Sequence, residues 1–224
     1  MANVIIFGTG RGADVAFRYL AKDSPHKICG FTVEKPYLKS ESFNGLPVVD
    51  FDVVQAVYPP DKYKMFVPLG FNRMNQMRYE KYMSAKNKGY GFISYVSSSV
   101  KSIDEVNVGE NCLILENQSI NLDVKIGNNV VLWSGNHIGD CTIIKDHAWL
   151  SSHVCIAGSV TIESFCFLGN NCTISNKITI AEKSFIGAGA LITKDTTEKG
   201  VYLAAGATKS PFDSERFFRM INID

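Results

Sequence analysis

The chain has 224 residues, 46% hydrophobic and 20% charged, with 23 basic and 22 acidic side chains giving a net charge of +1. This is the composition of an ordinary globular protein with room for one large domain or two small ones, and without a basic excess it gives no support to nucleic-acid binding. No apolar run approaches the ~20 residues of a membrane span, and the N-terminus lacks the basic region of a signal peptide, so a cytoplasmic protein is expected.

The first ninety-eight residues alternate strand and helix signals. Val4 to Gly8 is a short apolar strand, followed by Gly8-Thr9-Gly10-Arg11-Gly12-Ala13 and a helix with Val15, Ala16, Tyr19 and Leu20 on one face. A second strand covers Lys27 to Val33 and ends at Glu34. Val53, Val54 and Val57 suggest a short helix, closed by Pro59-Pro60. Tyr63 to Leu69 is a third strand, then come Gly70-Phe71-Asn72-Arg73, a helix to about Lys88, and a fourth strand from Gly91 to Val96. This pattern predicts a small parallel α/β, Rossmann-like unit over residues 1–98.

Glycines after a first strand permit a tight turn and close backbone approach at a helix N-terminus, which favours phosphate. Ala13 can stand for the third glycine of that fingerprint, and Glu34 sits where a ribose-binding acid would be. A nicotinamide-dependent oxidoreductase would need two mononucleotide halves, and only one is present. One half suits one nucleotide. The plainer alternative is that these glycines only shape a turn.

From Val106 to Asp195 the chain divides into fifteen consecutive hexapeptides without insertion. The third residue of each is Ile, Leu or Val, from Val108 through Ile114, Leu132, Leu150 and Leu168 to Ile192. A helix needs a period near 3.6, and ordinary sheets have irregular turns. A strict six fits short strands wound as a triangular prism, three hexapeptides per coil, with the large aliphatic pointing inward. The six cysteines (Cys29, Cys112, Cys141, Cys155, Cys166 and Cys172) show no CxxC pair, and are expected to be small buried residues rather than disulfides.

This repeat resembles the hexapeptide-repeat acyltransferases, whose parallel β-helix is left-handed against the usual crossover rule. An α/β unit followed by such a helix is similar to the sialic-acid O-acetyltransferase and bacillosamine N-acetyltransferase type. The resemblance implies a homotrimer with acetyl-CoA in the groove between adjacent β-helices. Residues 1–98 would hold a nucleotide-sugar, residues 99–208 would form the acyltransferase helix, and residues 209–224 a tail. It also implies Gly8, Gly10, Arg11 and Gly12 near a diphosphate, with Glu34, Asn72 and Arg73 near base and ribose. The activity implied is N-acetylation of a UDP- or dTDP-linked amino sugar in surface polysaccharide biosynthesis, with sugar or sialic-acid O-acetylation as the alternative. An amine is favoured as acceptor because it tolerates a weak base.

Acetyl transfer needs a base, an oxyanion donor and a groove that positions the thioester. Three of the four histidines cluster in the repeat. His137 precedes the inward Ile138 and so faces outward, while His147 and His153 fall near consecutive corners. The family's usual catalytic histidine falls at Asp140, and a second one at Trp149. That departure leaves three readings open: His137 as base oriented by Asp140, His153 from a neighbouring subunit, or no protein base. It also keeps a non-catalytic scaffold as a different class of function. His147 and His153 are one prism face apart, so no metal site is expected. For the cofactor, Ser152, Asn170 and Ala188 share one edge while Asp140, Gly158 and Asn176 share another. Gly158, Asn170, Gly187, Ala188 and Gly189 are the candidate acetyl-CoA contacts. The stretch from Glu198 to Thr208 resembles the closing loop that borders the CoA adenine, with Lys209 available for a CoA phosphate. The phenylalanines of the tail either pack back or cap the helix.

Overall fold

The computed structural model describes residues 1–102 and 106–221. The junction at 103–105, inside the expected 99–208 unit, and the last three residues of the 209–224 tail lie outside the described residues.

The N-terminal part is a five-stranded sheet. Its elements are β1 (Asn3–Phe7), α1 (Arg11–Lys22), β2 (Lys27–Val33), β3 (Ser42–Phe43), β4 (Leu46–Asp50), α2 (Val54–Val57), β5 (Tyr63–Phe66) and α3 (Gln76–Asn87). The order is β3-β4-β2-β1-β5, parallel except for the β3–β4 pair. Sequence reading missed β3 and β4. Their turn, Asn44-Gly45, has positive φ at both residues, as a tight hairpin demands. The expected fourth strand splits instead: Phe92 bridges to Met65, while Tyr95–Val96 joins the β-helix. Val4, Ile6, Ala16, Leu20 and Phe31 are buried, so the sheet packs on α1 through the alternation visible in the sequence.

The remainder is a left-handed parallel β-helix with three faces. Face 1 carries Tyr95–Val96, Leu113–Ile114, Val131–Leu132, Trp149–Leu150, Phe167–Leu168, Phe185–Ile186 and Val201–Tyr202. Face 2 includes Ser119–Ile120, His137–Ile138, Cys155–Ile156, Thr173–Ile174 and Leu191–Ile192. Face 3 includes Lys125–Ile126, Ile143–Ile144, Thr161–Ile162 and Thr179–Ile180. Ladder partners are eighteen residues apart, as in the pairing of His137 with Cys155. The second residue of each strand points in, and Ile114, Leu132, Leu150, Leu168 and Ile186 are all completely buried.

Corners fall three residues past each inward aliphatic, and there the backbone turns left-handed. Asn117, Gly135, His153, Asn171 and Gly189 follow face 1, and Asp123, Cys141, Ser159 and Lys177 follow face 2. Asn111, Asn129, His147, Phe165 and Lys183 follow face 3, and every one of these residues has φ between 55° and 81°. Asn and Gly suit this conformation, whereas His, Phe and Lys adopt it at a cost that the coil-to-coil hydrogen bonds offset. Cys112, Cys166 and Cys172 are buried, as expected, but Cys141 and Cys155 are exposed, because one occupies a corner and the other an outward strand position. Residues 203–221 pack on nothing that buries them. The short helix α4 (Ser214–Met220) has no buried residue, so the described part of the tail packs no side chain into the core.

Face 1 is covered by the α/β part, and Arg78 of α3 is the central contact. It is completely buried. Its Nη2 donates to the carbonyls of Asn129 at 3.1 Å, His147 at 3.1 Å and Ala148 at 3.3 Å, and its Nε donates to Asn129 Oδ1 at 3.2 Å. Nη1 donates to Asn75 Oδ1 at 3.2 Å. Asn75 in turn donates to the carbonyls of Phe165 and Cys166. Burial pushes the guanidinium down to about 9, so it stays charged at neutral pH, held by carbonyl dipoles. Arg78→Ala should therefore lower unfolding free energy by at least about 3 kcal/mol, because the buried carbonyls of Asn129 and His147 lose their donor at once. Arg78→Lys should recover only part of this, having three donors instead of five. Urea unfolding followed by circular dichroism checks it; a wild-type midpoint for Arg78→Ala would refute the role given to this side chain.

Candidate active site

Two cavities flank the loop that joins β5 to α3. The first, of about 660 Å³, opens above the C-terminal ends of β1 and β2. Gly8, Gly10, Glu34, Asn72 and Arg73 line it, together with Lys81 and Met77 of α3, which sequence reading missed. Gly8 has φ +109°, a conformation closed to other residues, and its N–H donates to Thr32 at 2.8 Å. Gly10 is the N-cap of α1 and carries no side chain to fill the helix end. Backbone N–H groups and a helix dipole there favour an anion. Arg11 and Gly12 do not line the cavity. Arg11 points to solvent and pairs with Asp14 at 2.9 Å. A Cβ on Gly12 would lie 2.3 Å from the Pro68 carbonyl, so this glycine lets α1 approach the end of β5.

The cavity's charges come in pairs. Glu34 Oε1 and Lys81 Nζ are 2.6 Å apart, and Arg73 pairs with Glu80. The hydrogen bond from Arg73 holds the Glu80 carboxyl below its ordinary range.

The second cavity, of about 530 Å³, is an aromatic cleft on face 1. Trp149, Phe167 and Phe185 follow one another at ladder spacing, with Phe167 and Phe185 stacked at 4.8 Å. Trp133 lies 6.0 Å from Trp149, and Phe71 closes the top at 5.2 Å from Trp149 and 4.8 Å from Phe167. Ser152, Asn170 and Ala188 form one rim along the corner after face 1. The connecting loop is strained: Arg73, Met74 and Asn75 have successive φ values of 53°, 52° and 65°. Three consecutive left-handed residues persist only where packing over-determines them, and the Asn75–Arg78 hydrogen bonds supply that.

The histidines separate into two kinds. His153 sits on the corner next to Ser152, is exposed, and its ring lies against Gly135, where a Cβ would meet it at 2.5 Å. His137 is exposed on face 2, and its ladder partner Cys155 follows His153 by two residues. The fold thus gathers His137 and His153 at one end of face 2. Asp140 lies at the other end, beside Gly158, and makes no hydrogen bond to His137 among the described residues. His147 is buried at the corner before face 1, between Tyr79 and Phe165 at 4.8 and 4.7 Å. Its Nδ1 accepts from Asn129 Nδ2 at 3.1 Å. His147 is a packed structural residue.

The cofactor candidates divide between corners. Asn170 and Ala188 line the cleft, and Gly189 supplies a positive φ beside them. Gly187 is buried, and a Cβ there would meet Leu203 at 2.9 Å, so it seats the closing loop. Gly158 is on the Asp140 edge. Lys209 is exposed in the tail. Among the described residues no three or more His, Cys, Asp or Glu form a metal-binding group, and no helix is long and apolar enough to cross a membrane.

No protein-family model and no curated protein matches the chain. The chain shares its fold with solved acetyltransferases. One is a histidine-to-asparagine variant of perosamine N-acetyltransferase from Caulobacter crescentus in complex with CoA and GDP-perosamine: TM-score 0.78, 20% identity, covering 92% of this chain and 98% of that one. A second is the acetyltransferase domain of PglB from Neisseria gonorrhoeae FA1090, at TM-score 0.77 and 15% identity, covering 90% and 96%. WeeI from Acinetobacter baumannii AYE follows at TM-score 0.73 and 18% identity, again covering 90% and 96%. At these identities the likeness is one of fold, and it extends over both parts of the chain.

Burial pushes the His147 imidazole down to about 4. An unfolded chain takes up that proton near pH 6.5, so between the two values protonation favours unfolding. Folding stability should fall as pH drops from about 6.5 to 4. His147→Asn, which keeps an acceptor for Asn129 and suits the left-handed corner, should flatten that slope. Urea midpoints across this range decide it; parallel slopes for both proteins would contradict a neutral buried imidazole.

Proposed function

We propose that the protein is an acetyl-CoA-dependent acetyltransferase acting on the amino group of a nucleotide-linked amino sugar. The observation that carries this is the shared wall. Asn72 and Arg73 line the nucleotide-sized cavity, and their neighbour Phe71 closes the aromatic cleft whose rim is Ser152, Asn170 and Ala188. An acceptor held by its diphosphate at Gly8 and Gly10 extends its sugar past this loop into the cleft. A flat pantetheine lies along the small residues of the corner, bringing the thioester to the same place. Residues 1–98 are then the nucleotide-sugar module and residues 99–208 the acyltransferase module. The solved perosamine enzyme, crystallised with CoA and GDP-perosamine, supports the pairing of ligands and adds GDP to the nucleotides to be considered.

The amine attacks the thioester carbonyl and gives one proton to a base; the tetrahedral intermediate breaks its C–S bond, and the CoA thiolate takes up that proton and leaves as the thiol. His137 and His153 are the exposed imidazoles nearest the rim and supply that base, with Asp140 too far along face 2 to orient either. The cleft's aromatic walls exclude water and strengthen any hydrogen bond to the oxyanion. We further infer a cytoplasmic homotrimer, with a neighbouring prism covering the outward faces and closing the groove around acetyl-CoA, and a role in surface polysaccharide biosynthesis. The exposed Leu191, Val201 and Leu203 are the apolar positions such a neighbour would cover.

Thiol release from acetyl-CoA should be seen with at least one member of a panel of UDP-, dTDP- and GDP-linked amino sugars. His137→Ala or His153→Ala should reduce turnover by about 100-fold or more, the range of a general base. Full turnover in both variants would mean that the amine loses its proton without either histidine. Acetylation of only hydroxyl acceptors would replace N- by O-transfer.

A further inference from the structure

The nucleotide-sized cavity contains an ion pair that phosphate binding does not use. Lys81 reaches across from α3 to the end of β2, where its Nζ meets Glu34 Oε1 at 2.6 Å. The Lys81 side chain is 22% exposed and that of Glu34 37%. Both line the cavity, with Met77 and the largely exposed ring of Tyr37 beside them. The arrangement is therefore a donor set directly next to two carboxylate acceptors, between flat or apolar surfaces.

With the diphosphate at Gly8 and Gly10 and the sugar directed toward Phe71, the nucleoside occupies the far part of the cavity, where this pair stands. We propose that Glu34 and Lys81 read the edge of the nucleobase and select guanine. This rests on the nucleotide-sugar reading above, and it departs from the uracil and thymine nucleotides that the sequence resemblance implies.

Hydrogen-bond pattern separates the bases. Guanine presents an acceptor, O6, followed by two donors, N1–H and the N2 amino group. Lys81 matches the first, and the two oxygens of Glu34 match the second and third. Uracil and thymine present acceptor, donor, acceptor. Lys81 and one carboxylate oxygen still find partners, but the second carboxylate oxygen then faces a carbonyl oxygen. Adenine and cytosine offer an amino group and a ring nitrogen, satisfying two positions of three. A site built from polar groups rejects an analogue that leaves one of them unpaired far more strongly than it rejects a change in apolar bulk. The wider guanine ring also has the extended face that Tyr37 and Met77 would cover.

The test is calorimetric titration of the full chain with GDP, ADP, CDP, UDP and dTDP at one salt concentration, repeated for Glu34→Gln and Lys81→Met. Wild type should bind GDP at least ~10-fold more tightly than UDP or dTDP, the discrimination of one good bidentate contact. Glu34→Gln should shift the preference toward UDP, because an amide both accepts from N3–H and donates to a carbonyl. Lys81→Met should weaken GDP and UDP by a similar factor, because both bases present a carbonyl to that ammonium, and so leave their ratio near the wild-type value. Because preference is a ratio within one protein sample, a partly unfolded variant does not obscure it. UDP or dTDP binding as tightly as GDP would overturn the base assignment alone. So would an equal loss for all five nucleotides in Glu34→Gln, which would put Glu34 on the ribose. Binding of no nucleotide at all would overturn the nucleotide-sugar reading and this inference with it.

Discussion

The placement of both cavities depends on a charge buried where α3 meets the corner of the β-helix. Coils of such a helix satisfy one another's strand hydrogen bonds, but their corners leave carbonyls without partners. Beside the Ala148 carbonyl, which also accepts from the Val131 N–H, two such carbonyls converge, those of Asn129 and His147, and Arg78 meets them with a planar group that stays charged under burial. Lysine could not span them, and an aliphatic residue would leave them bare. The same guanidinium lies 5.4 Å from the Trp149 ring, on the floor of the cleft. Fixing α3 there fixes the loop before it, and so fixes which residues of that loop face each cavity.

Much of the fold could be read from the sequence because its cause is periodic. One aliphatic every six residues fixes which side chains are inside, and three such units per coil fix which residues share a corner. The glycine loop was legible for the same local reason: Gly8 needs a positive φ. The hairpin formed by Ser42–Phe43 and Leu46–Asp50 was missed despite its Asn-Gly turn, because its strands are too short to show alternation. What the sequence could not display were partners brought together from a distance. Arg78 bonds to a carbonyl seventy residues away, and Glu34 meets Lys81 across forty-seven. The histidines show the limit most clearly. His147 and His153 have the same phase in the repeat and the same left-handed backbone, yet one is buried and the other exposed. The difference lies in what packs on each corner, which only the three-dimensional arrangement reveals.

The two cavities offer a ligand two different environments. The cavity of the α/β part offers charges and backbone N–H groups suited to a diphosphate, and the cleft offers rings and almost no charge. A sugar carried on a nucleotide needs both, since its polar handle binds strongly while the reacting end must be held away from water. The strained loop between them is where the two environments meet. Its three successive residues are left-handed, and the last of them, Asn75, is held by bonds that reach into the prism.

The aromatic cleft has an optical consequence. The chain has only two tryptophans, and both line it, 6.0 Å apart. Their intrinsic emission is therefore a local signal rather than an average over the molecule. Any molecule entering the cleft changes the polarity around both indoles at once, so the protein carries its own fluorescent reporter of occupancy without a label being added.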